Sequence, residues 1–134
     1  MNVLVDTSVW SAALRRGKSA DPSVVMALQN LIFDHKVEIM GPIRQELLSG
    51  IREQAQVKKL EKHLAAFPDL EIETADYVLA ATFFNVCRAH GVQGSSTDFL
   101  ICAVGVRRQL SIYTVDKDFL NFEKYLPIVL HKSP

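Results

Sequence analysis

The sequence predicts an α/β fold, with helices on both faces of a central parallel sheet of about five strands. Short apolar runs rich in β-branched residues recur along the chain, and longer segments with apolar residues at helical spacing separate them. Strands that alternate with helices pack as a parallel sheet between two helical layers. A chain of 134 residues has the length of one domain, so we expect residues 1–134 to share a single core.

Five segments are predicted to form the sheet. Each is short, mostly apolar and bounded by polar or turn-forming residues, as is typical of a buried strand. In a parallel sheet the carboxyl ends of the strands meet at one edge, where the sites of α/β proteins gather. The predicted strands are Asn2–Val5, Val37–Met40, Leu70–Ile72, Ser111–Val115 and Ile128–Leu130.

Cap residues and breakers delimit the predicted helices. Asp21 is followed by a first-turn proline, and Gly91 stands where a C-terminal cap glycine belongs. The segment Thr97–Gln109 is apolar on nearly every side, which predicts a buried helix. The other helices are predicted after Asp6, after Gly41-Pro42, around Val57–Phe67, over Ala75–His90 and over Lys117–Tyr125.

Composition argues against several classes of protein. The 15 Lys and Arg residues balance 15 Asp and Glu residues, so bulk positive charge does not drive nucleic-acid binding, although an acidic site with a basic rim has the same balance. Apolar runs such as Phe99–Val106 are far shorter than the ~20 residues of a membrane span. Cys87 and Cys102 lack the spacing of a metal or disulfide motif. We therefore expect a cytoplasmic protein that does not enter a membrane.

Four acidic residues occur where the predicted fold brings the chain to one edge of the sheet. Asp6 ends the first strand, and Asp116 follows the fourth almost immediately. Asp98 lies in the first turn of the buried helix, and Glu46 borders the apolar stripe of the helix that begins at Gly41. The carboxyl edge of a parallel sheet can bring all four together.

Each of these acids also has a simpler structural interpretation. Asp6 and Asp98 can be helix caps or first-turn acids that the helix dipole favours. Glu46 can be a boundary residue, and Asp116 and Asp118 can be turn-formers beside Lys117. The joint pattern, and not any single residue, favours a functional cluster.

A cluster of carboxylates needs a counter-charge. Two unit charges ~4 Å apart interact by about 4 kcal/mol at an effective dielectric constant of 20. Such a cluster must take up protons or hold cations, and an all-oxygen site suits Mg²⁺ or Mn²⁺ better than zinc. The usual chemistry of such a site is phosphoryl transfer, in which metal ions activate water and stabilise charge on phosphate oxygens.

Four motifs in order resemble the PIN-domain ribonucleases, and among them the VapC toxins of toxin–antitoxin pairs. The motifs are Val5-Asp-Thr-Ser-Val-Trp10, Gln45-Glu-Leu-Leu-Ser-Gly50, Thr97-Asp-Phe-Leu-Ile-Cys-Ala-Val104 and Thr114-Val-Asp-Lys-Asp-Phe119. Each motif alone is unspecific, whereas all four at these spacings are specific. The resemblance extends from Val3 to Pro127.

The resemblance implies a compact three-layer α/β/α PIN-like domain with Mg²⁺- or Mn²⁺-dependent endoribonuclease activity. It further implies an RNA substrate such as transfer RNA or ribosomal RNA, a homodimer, and neutralisation by a cognate VapB-type antitoxin.

The resemblance also assigns individual residues. Asp6, Glu46, Asp98 and Asp116 match the acidic quartet of the family, which implies catalytic and metal-binding roles, and Asp118 matches an accessory acid. Ser8 and Thr114 are implied as hydroxyl neighbours that can bind the acidic ligands or water.

Two other functions remain open from the sequence. One is a non-catalytic PIN-like module that binds RNA or protein, against which the intact quartet speaks. The other is a receiver-type phospho-switch, for which we expect paired acids after the first strand and a lysine after the last. Here Asp6 stands alone, and the last predicted strand is followed by His131.

Basic residues near the expected site offer a further hypothesis. Arg15, Arg16 and Lys18 follow the first predicted helix and can contact RNA phosphates, but a solvated helix end fits them equally well.

Overall fold

Short buried strands form a parallel sheet at the centre of the molecule, as the apolar runs predict. In the computed structural model of the chain, residues 1–14 and 21–132 are described. Their four-stranded sheet has the order β3-β2-β1-β4, and all neighbouring strands are parallel. The strands are β1 (Val3–Val5), β2 (Val37–Met40), β3 (Asp69–Leu70) and β4 (Ser111–Tyr113).

Helices flank the sheet, so the predicted α/β/α architecture is confirmed. Seven helices lie within the described ranges: α1 (Thr7–Leu14), α2 (Pro22–Phe33), α3 (Gly41–Leu48), α4 (Gln54–Leu64), α5 (Thr74–Ala89), α6 (Ser96–Arg107) and α7 (Asp118–Glu123). The predicted buried helix corresponds to α6, in which every residue from Phe99 to Gly105 is buried. This helix forms a large part of the apolar core.

The sheet of the described residues has four strands, where about five were predicted, and the difference lies at the edge beside β4. The segment Ile128–Leu130 makes a single parallel bridge to β4, between Ile112 and Leu130. The Ile112 N–H donates to the Val129 carbonyl (2.8 Å), and the His131 N–H donates to the Ile112 carbonyl (2.7 Å). The segment therefore lies where the fifth strand was expected. It pairs with one neighbour over too short a length to count as a strand.

The predicted helix boundaries are largely confirmed. Asp21 caps α2 by accepting from the Ser23 N–H (2.9 Å). Helix α5 ends at Ala89, and the positive φ of Gly91 (74°) just beyond it allows the Gly91 and Val92 N–H groups to bond the last carbonyls of the helix. Gly91 has this role because glycine adopts such a φ without steric cost.

Neighbouring strand ends place the candidate residues. Strands β1 and β4 are adjacent, so the residues that follow Val5 and Tyr113 emerge side by side. Arg15, Arg16 and Lys18 lie outside the described residues. None of the helices within residues 1–14 and 21–132 combines the length and the apolar character that crossing a bilayer requires.

Candidate active site

Asp6 is held rigidly where β1 ends. Its side chain is buried, and its N–H donates to the Tyr113 carbonyl (2.8 Å), which fixes it against the end of β4. Its Oδ2 atom accepts from the hydroxyls of Ser8 (2.6 Å) and Thr114 (2.8 Å). The two hydroxyls implied by the family resemblance therefore orient this carboxylate. They also supply the polar partners that a buried carboxylate requires.

A hydrogen-bonded turn connects β4 to α7 and carries two more acids. The Thr114 hydroxyl accepts from the Asp116 N–H (3.0 Å), and the Asp116 Oδ1 atom accepts from the Asp118 N–H (2.9 Å). The Ser8 hydroxyl accepts from the Val115 N–H (3.1 Å). These bonds explain why β4 ends at Tyr113, two residues before the predicted end. Asp116 is thus a turn-former, as its structural interpretation held, and the turn ties it to Asp6.

Asp98 is the third residue of α6 and closes a capping box with Ser95. The Ser95 hydroxyl accepts from the Asp98 N–H (3.1 Å), and the Asp98 Oδ2 atom accepts from the Ser95 N–H (3.2 Å). This arrangement satisfies two of the free N–H groups at the start of a helix. The cap interpretation of Asp98 is therefore correct, and it does not conflict with a second role.

Three carboxylates converge. Asp98, Asp116 and Asp118 each offer one oxygen, and these three oxygens lie within 4.8 Å of one another. Asp98 and Asp116 are partly buried and Asp118 is exposed. Burial raises the pKa of Asp98 above its ordinary value, and the charges of Asp6 and Asp116 push that pKa in the same direction. The hydrogen bonds from Ser95 oppose the shift without cancelling it.

The donor set fits a hard divalent cation. All of the donors are carboxylate oxygens, which Mg²⁺ and Mn²⁺ prefer. Two oxygens bound to one Mg²⁺ ion lie at most roughly 4.2 Å apart, because each bond is about 2.1 Å long. The oxygens of Asp98, Asp116 and Asp118 lie within 4.8 Å of one another, so they would have to approach by roughly half an ångström to bind one ion. The net environment of Asp98 disfavours its charged form, which is the imbalance that a bound cation corrects.

Glu46 and Asp6 lie outside the group of three converging oxygens. Glu46 is exposed on α3 and accepts from the Thr7 hydroxyl (3.1 Å), which links α3 to the start of α1. Together with Thr97, the neighbour of Asp98, it lines a small surface cavity. Asp6 is near enough to Asp98 for its charge to raise the pKa of Asp98. The structure thus brings three of the five predicted acids together, places Asp6 near Asp98, and puts Glu46 beside Thr97.

Two contributors were missed in the sequence. The spacing Ser95-x-x-Asp98 is a capping-box signature that could have identified Ser95. The bond between Thr7 and Glu46 joins residues 39 positions apart, and no local pattern signals it.

Comparison with known proteins gives consistent matches over nearly the whole chain. A family model described as PIN domain matches residues 3–125. The VapC ribonuclease Mb1587 of Mycobacterium bovis is 28% identical over 121 residues, which are 87% of this chain and 88% of that relative.

Solved structures share the fold at low sequence identity. A chain in the crystal structure of FitAcB from Neisseria gonorrhoeae matches with a TM-score of 0.78 at 20% identity, covering 97% of this chain and 96% of that one. A chain of VapBC-5 from Mycobacterium tuberculosis, a member of the VapBC family of toxin-antitoxin systems, matches with a TM-score of 0.70 at 18% identity. That match covers 99% of this chain and 100% of the other.

Proposed function

Because this chain belongs to the PIN domain family, we propose that it is an endoribonuclease that hydrolyses RNA phosphodiester bonds with a bound Mg²⁺ or Mn²⁺ ion. The convergence of Asp98, Asp116 and Asp118 carries the proposal, because three carboxylates at one point are suited to holding such an ion. The ribonuclease name of the Mycobacterium bovis relative supports RNA as the substrate.

The acids have distinct proposed roles. Asp98, Asp116 and Asp118 would hold the ion, and Asp6 would support the site through Thr114, which binds both Asp6 and the Asp116 backbone. When bound, the ion supplies an activated water and stabilises negative charge on the phosphate oxygens. The exposed Glu46 carboxylate, beside Thr97, orients the attacking water. A site of this kind acts on a phosphate and reads no base sequence by itself.

We further propose that the protein is the toxin of a toxin–antitoxin pair. The VapBC and FitAcB chains that share its fold support a small VapB-type protein as the partner. The proposed toxin is a cytoplasmic homodimer. In its complex with the antitoxin, an Arg or Lys side chain of the antitoxin takes the place of the ion among the acids.

The first prediction concerns metal-dependent cleavage. Purified protein free of antitoxin is expected to cut total RNA into discrete fragments with Mg²⁺ or Mn²⁺, and to stop when a chelator is added. The products are resolved on a denaturing gel. Asp6→Asn is expected to lose cleavage while keeping the wild-type circular dichroism spectrum. RNA cutting that persists in chelator contradicts the mechanism, and a folded, metal-binding protein that cuts no RNA favours the non-catalytic binding module.

The second prediction concerns the partner. Expression of the protein alone is expected to arrest growth, and co-expression of the small protein encoded beside it is expected to restore growth. Colony counts after induction measure both effects, with Asp6→Asn as the inactive control. Unimpaired growth together with strong RNA cleavage in vitro removes the toxin assignment and leaves the nuclease assignment intact.

A further inference from the structure

The distances among the three carboxylates depend on where the first turns of α6 and α7 lie relative to each other. Asp98 is in the first turn of α6, Asp118 is the first residue of α7, and Asp116 precedes α7 by two positions. These parts of the chain are separate in sequence, so whatever fixes the start of α6 against the start of α7 also fixes the distances among the three carboxylates.

Three phenylalanine rings, close in sequence to the carboxylates, join these two helices. Phe99 directly follows Asp98 and Phe119 directly follows Asp118, while Phe122 lies one turn farther along α7. All three are buried. The Phe122 ring centroid is 4.9 Å from that of Phe99 and 5.1 Å from that of Phe119. Phe122 therefore contacts both rings and bridges the two helices.

Gly94 lies in the loop before α6, where the backbone packs closely against two of these rings, those of Phe99 and Phe122. A Cβ atom built on Gly94 would lie 2.5 Å from Cζ and 3.0 Å from Cε1 of Phe122, and 3.0 Å from Cε2 of Phe99. Only a residue without a side chain allows the backbone this close approach. Any larger residue must displace a buried ring, and interiors at crystal-like density leave that ring little free space.

We propose that Gly94 and Phe122 are positioning residues that set the spacing of Asp98 from Asp116 and Asp118 and so preform the cation site. The inference rests on the proposed function, because it assigns the spacing to metal binding. Gly94 acts through Phe122, the α7 residue whose ring meets both the loop at Gly94 and the Phe99 ring of α6. Neither Gly94 nor Phe122 has a side-chain donor atom that could bind a cation.

A double-mutant cycle on Mn²⁺ affinity tests this role. The dissociation constant for Mn²⁺ alone is measured by calorimetry and by electron paramagnetic resonance on wild type, Gly94→Ala, Phe122→Leu and the double variant. Gly94→Ala is expected to raise the dissociation constant about tenfold, the lower end of the effect of outer-shell changes. The double variant is expected to bind more tightly than Gly94→Ala, because leucine lacks the Cζ and Cε1 atoms that the new methyl group meets.

Gly105 supplies the control for a merely structural effect. A Cβ atom there would lie 3.1 Å from the Ile112 side chain, in the core at the other end of α6. Gly105→Ala is expected to change the melting temperature and to leave the Mn²⁺ dissociation constant within about twofold of wild type, since it adds a single methyl group far from the acids.

Each result decides the proposal. Wild-type Mn²⁺ affinity in folded Gly94→Ala overturns it, as does a double variant no better than Gly94→Ala. If Gly94→Ala fails to fold, unchanged Mn²⁺ affinity in Phe122→Leu overturns it instead. A wild-type protein that binds no Mn²⁺ refutes the metal site of the proposed function. A wild type that binds Mn²⁺, with variants of the same Mn²⁺ affinity, refutes only the positioning role of Gly94 and Phe122.

Discussion

Asp98→Asn is expected to abolish RNA cleavage and yet to raise the melting temperature of the metal-free protein. We expect cleavage to fall by on the order of 10²–10³-fold or more, the loss that follows removal of one preorganised electrostatic group. Stability is expected to rise because Asn removes a charge that burial and two neighbouring carboxylates disfavour. The Asn side-chain oxygen can still accept the Ser95 N–H, so the capping bond is kept.

The difference in stability between Asp98→Asn and wild type is expected to depend on pH. The pKa of Asp98 is raised in the folded protein, so the folded state binds its proton more tightly than the unfolded state. The contribution of Asp98 to stability is therefore fully present below the unfolded pKa near 3.8 and is lost as pH rises through the folded value. The melting temperature of Asp98→Asn should therefore rise relative to that of wild type as the pH rises above about 4. In acid the two melting curves should coincide.

Mg²⁺ should stabilise wild type and have little effect on Asp98→Asn. At ten times its dissociation constant, Mg²⁺ stabilises a protein by about 1.4 kcal/mol if it binds only the folded state. For a domain of this size that is roughly 3–6 °C. Wild type is expected to show this shift and Asp98→Asn to show little of it. Thermal melts with and without Mg²⁺ at constant ionic strength measure both effects. A destabilised variant and a wild type insensitive to Mg²⁺ would together mean that Asp98 is only a first-turn acid.

Periodicity and strand ends predicted most of the architecture and part of the site. The apolar residues of α6 predicted a buried helix, and the positions of Asp6 and Asp116 after two strands placed them side by side. The edge of the sheet was harder to predict, because Ile128–Leu130 is apolar like a strand but makes only one bridge to β4, between Leu130 and Ile112. Strand β4 ends early through the Thr114 hydroxyl, a side-chain effect that apolar patterns do not encode.

The sequence alone could not distinguish the role of Asp98 from that of another acid at the same position in a helix. Asp76 is also the third residue of its helix, α5, and it also closes a capping box, with Glu73. The difference lies in what packs against each carboxylate. Arg107, 31 positions away, donates to Asp76 (2.8 Å), whereas Asp98 faces Asp116 and Asp118. The same position in a capping box thus carries a structural acid in one helix and a candidate functional acid in the other.

Asp76→Asn is therefore expected to act in the opposite direction on stability. Asp76 is fully buried, and the change leaves Arg107 without its closest carboxylate at the C-terminal end of α6. Losing one partner of a buried pair costs about 3–5 kcal/mol, and we expect about 2 kcal/mol here because solvent reaches Arg107 and the capping acceptor is kept. The corresponding decrease in melting temperature is roughly 4–9 °C.

The pH dependence and the metal response distinguish Asp76 from Asp98. Burial raises the pKa of Asp76, but hydrogen bonds from the Glu73 N–H and Arg107, together with the charges of Arg107 and Arg108, outweigh burial, so the pKa is lowered in the folded protein. Its stabilisation is present above the unfolded pKa near 3.8 and is lost as pH falls through the folded value. The cost of Asp76→Asn should therefore disappear in acid. Mg²⁺ should stabilise this variant as much as wild type, and RNA cleavage at 25 °C should be unchanged. Loss of the Mg²⁺ response in Asp76→Asn would show that the two caps are not independent and that the melting shift of Asp98→Asn does not report on the carboxylate cluster alone.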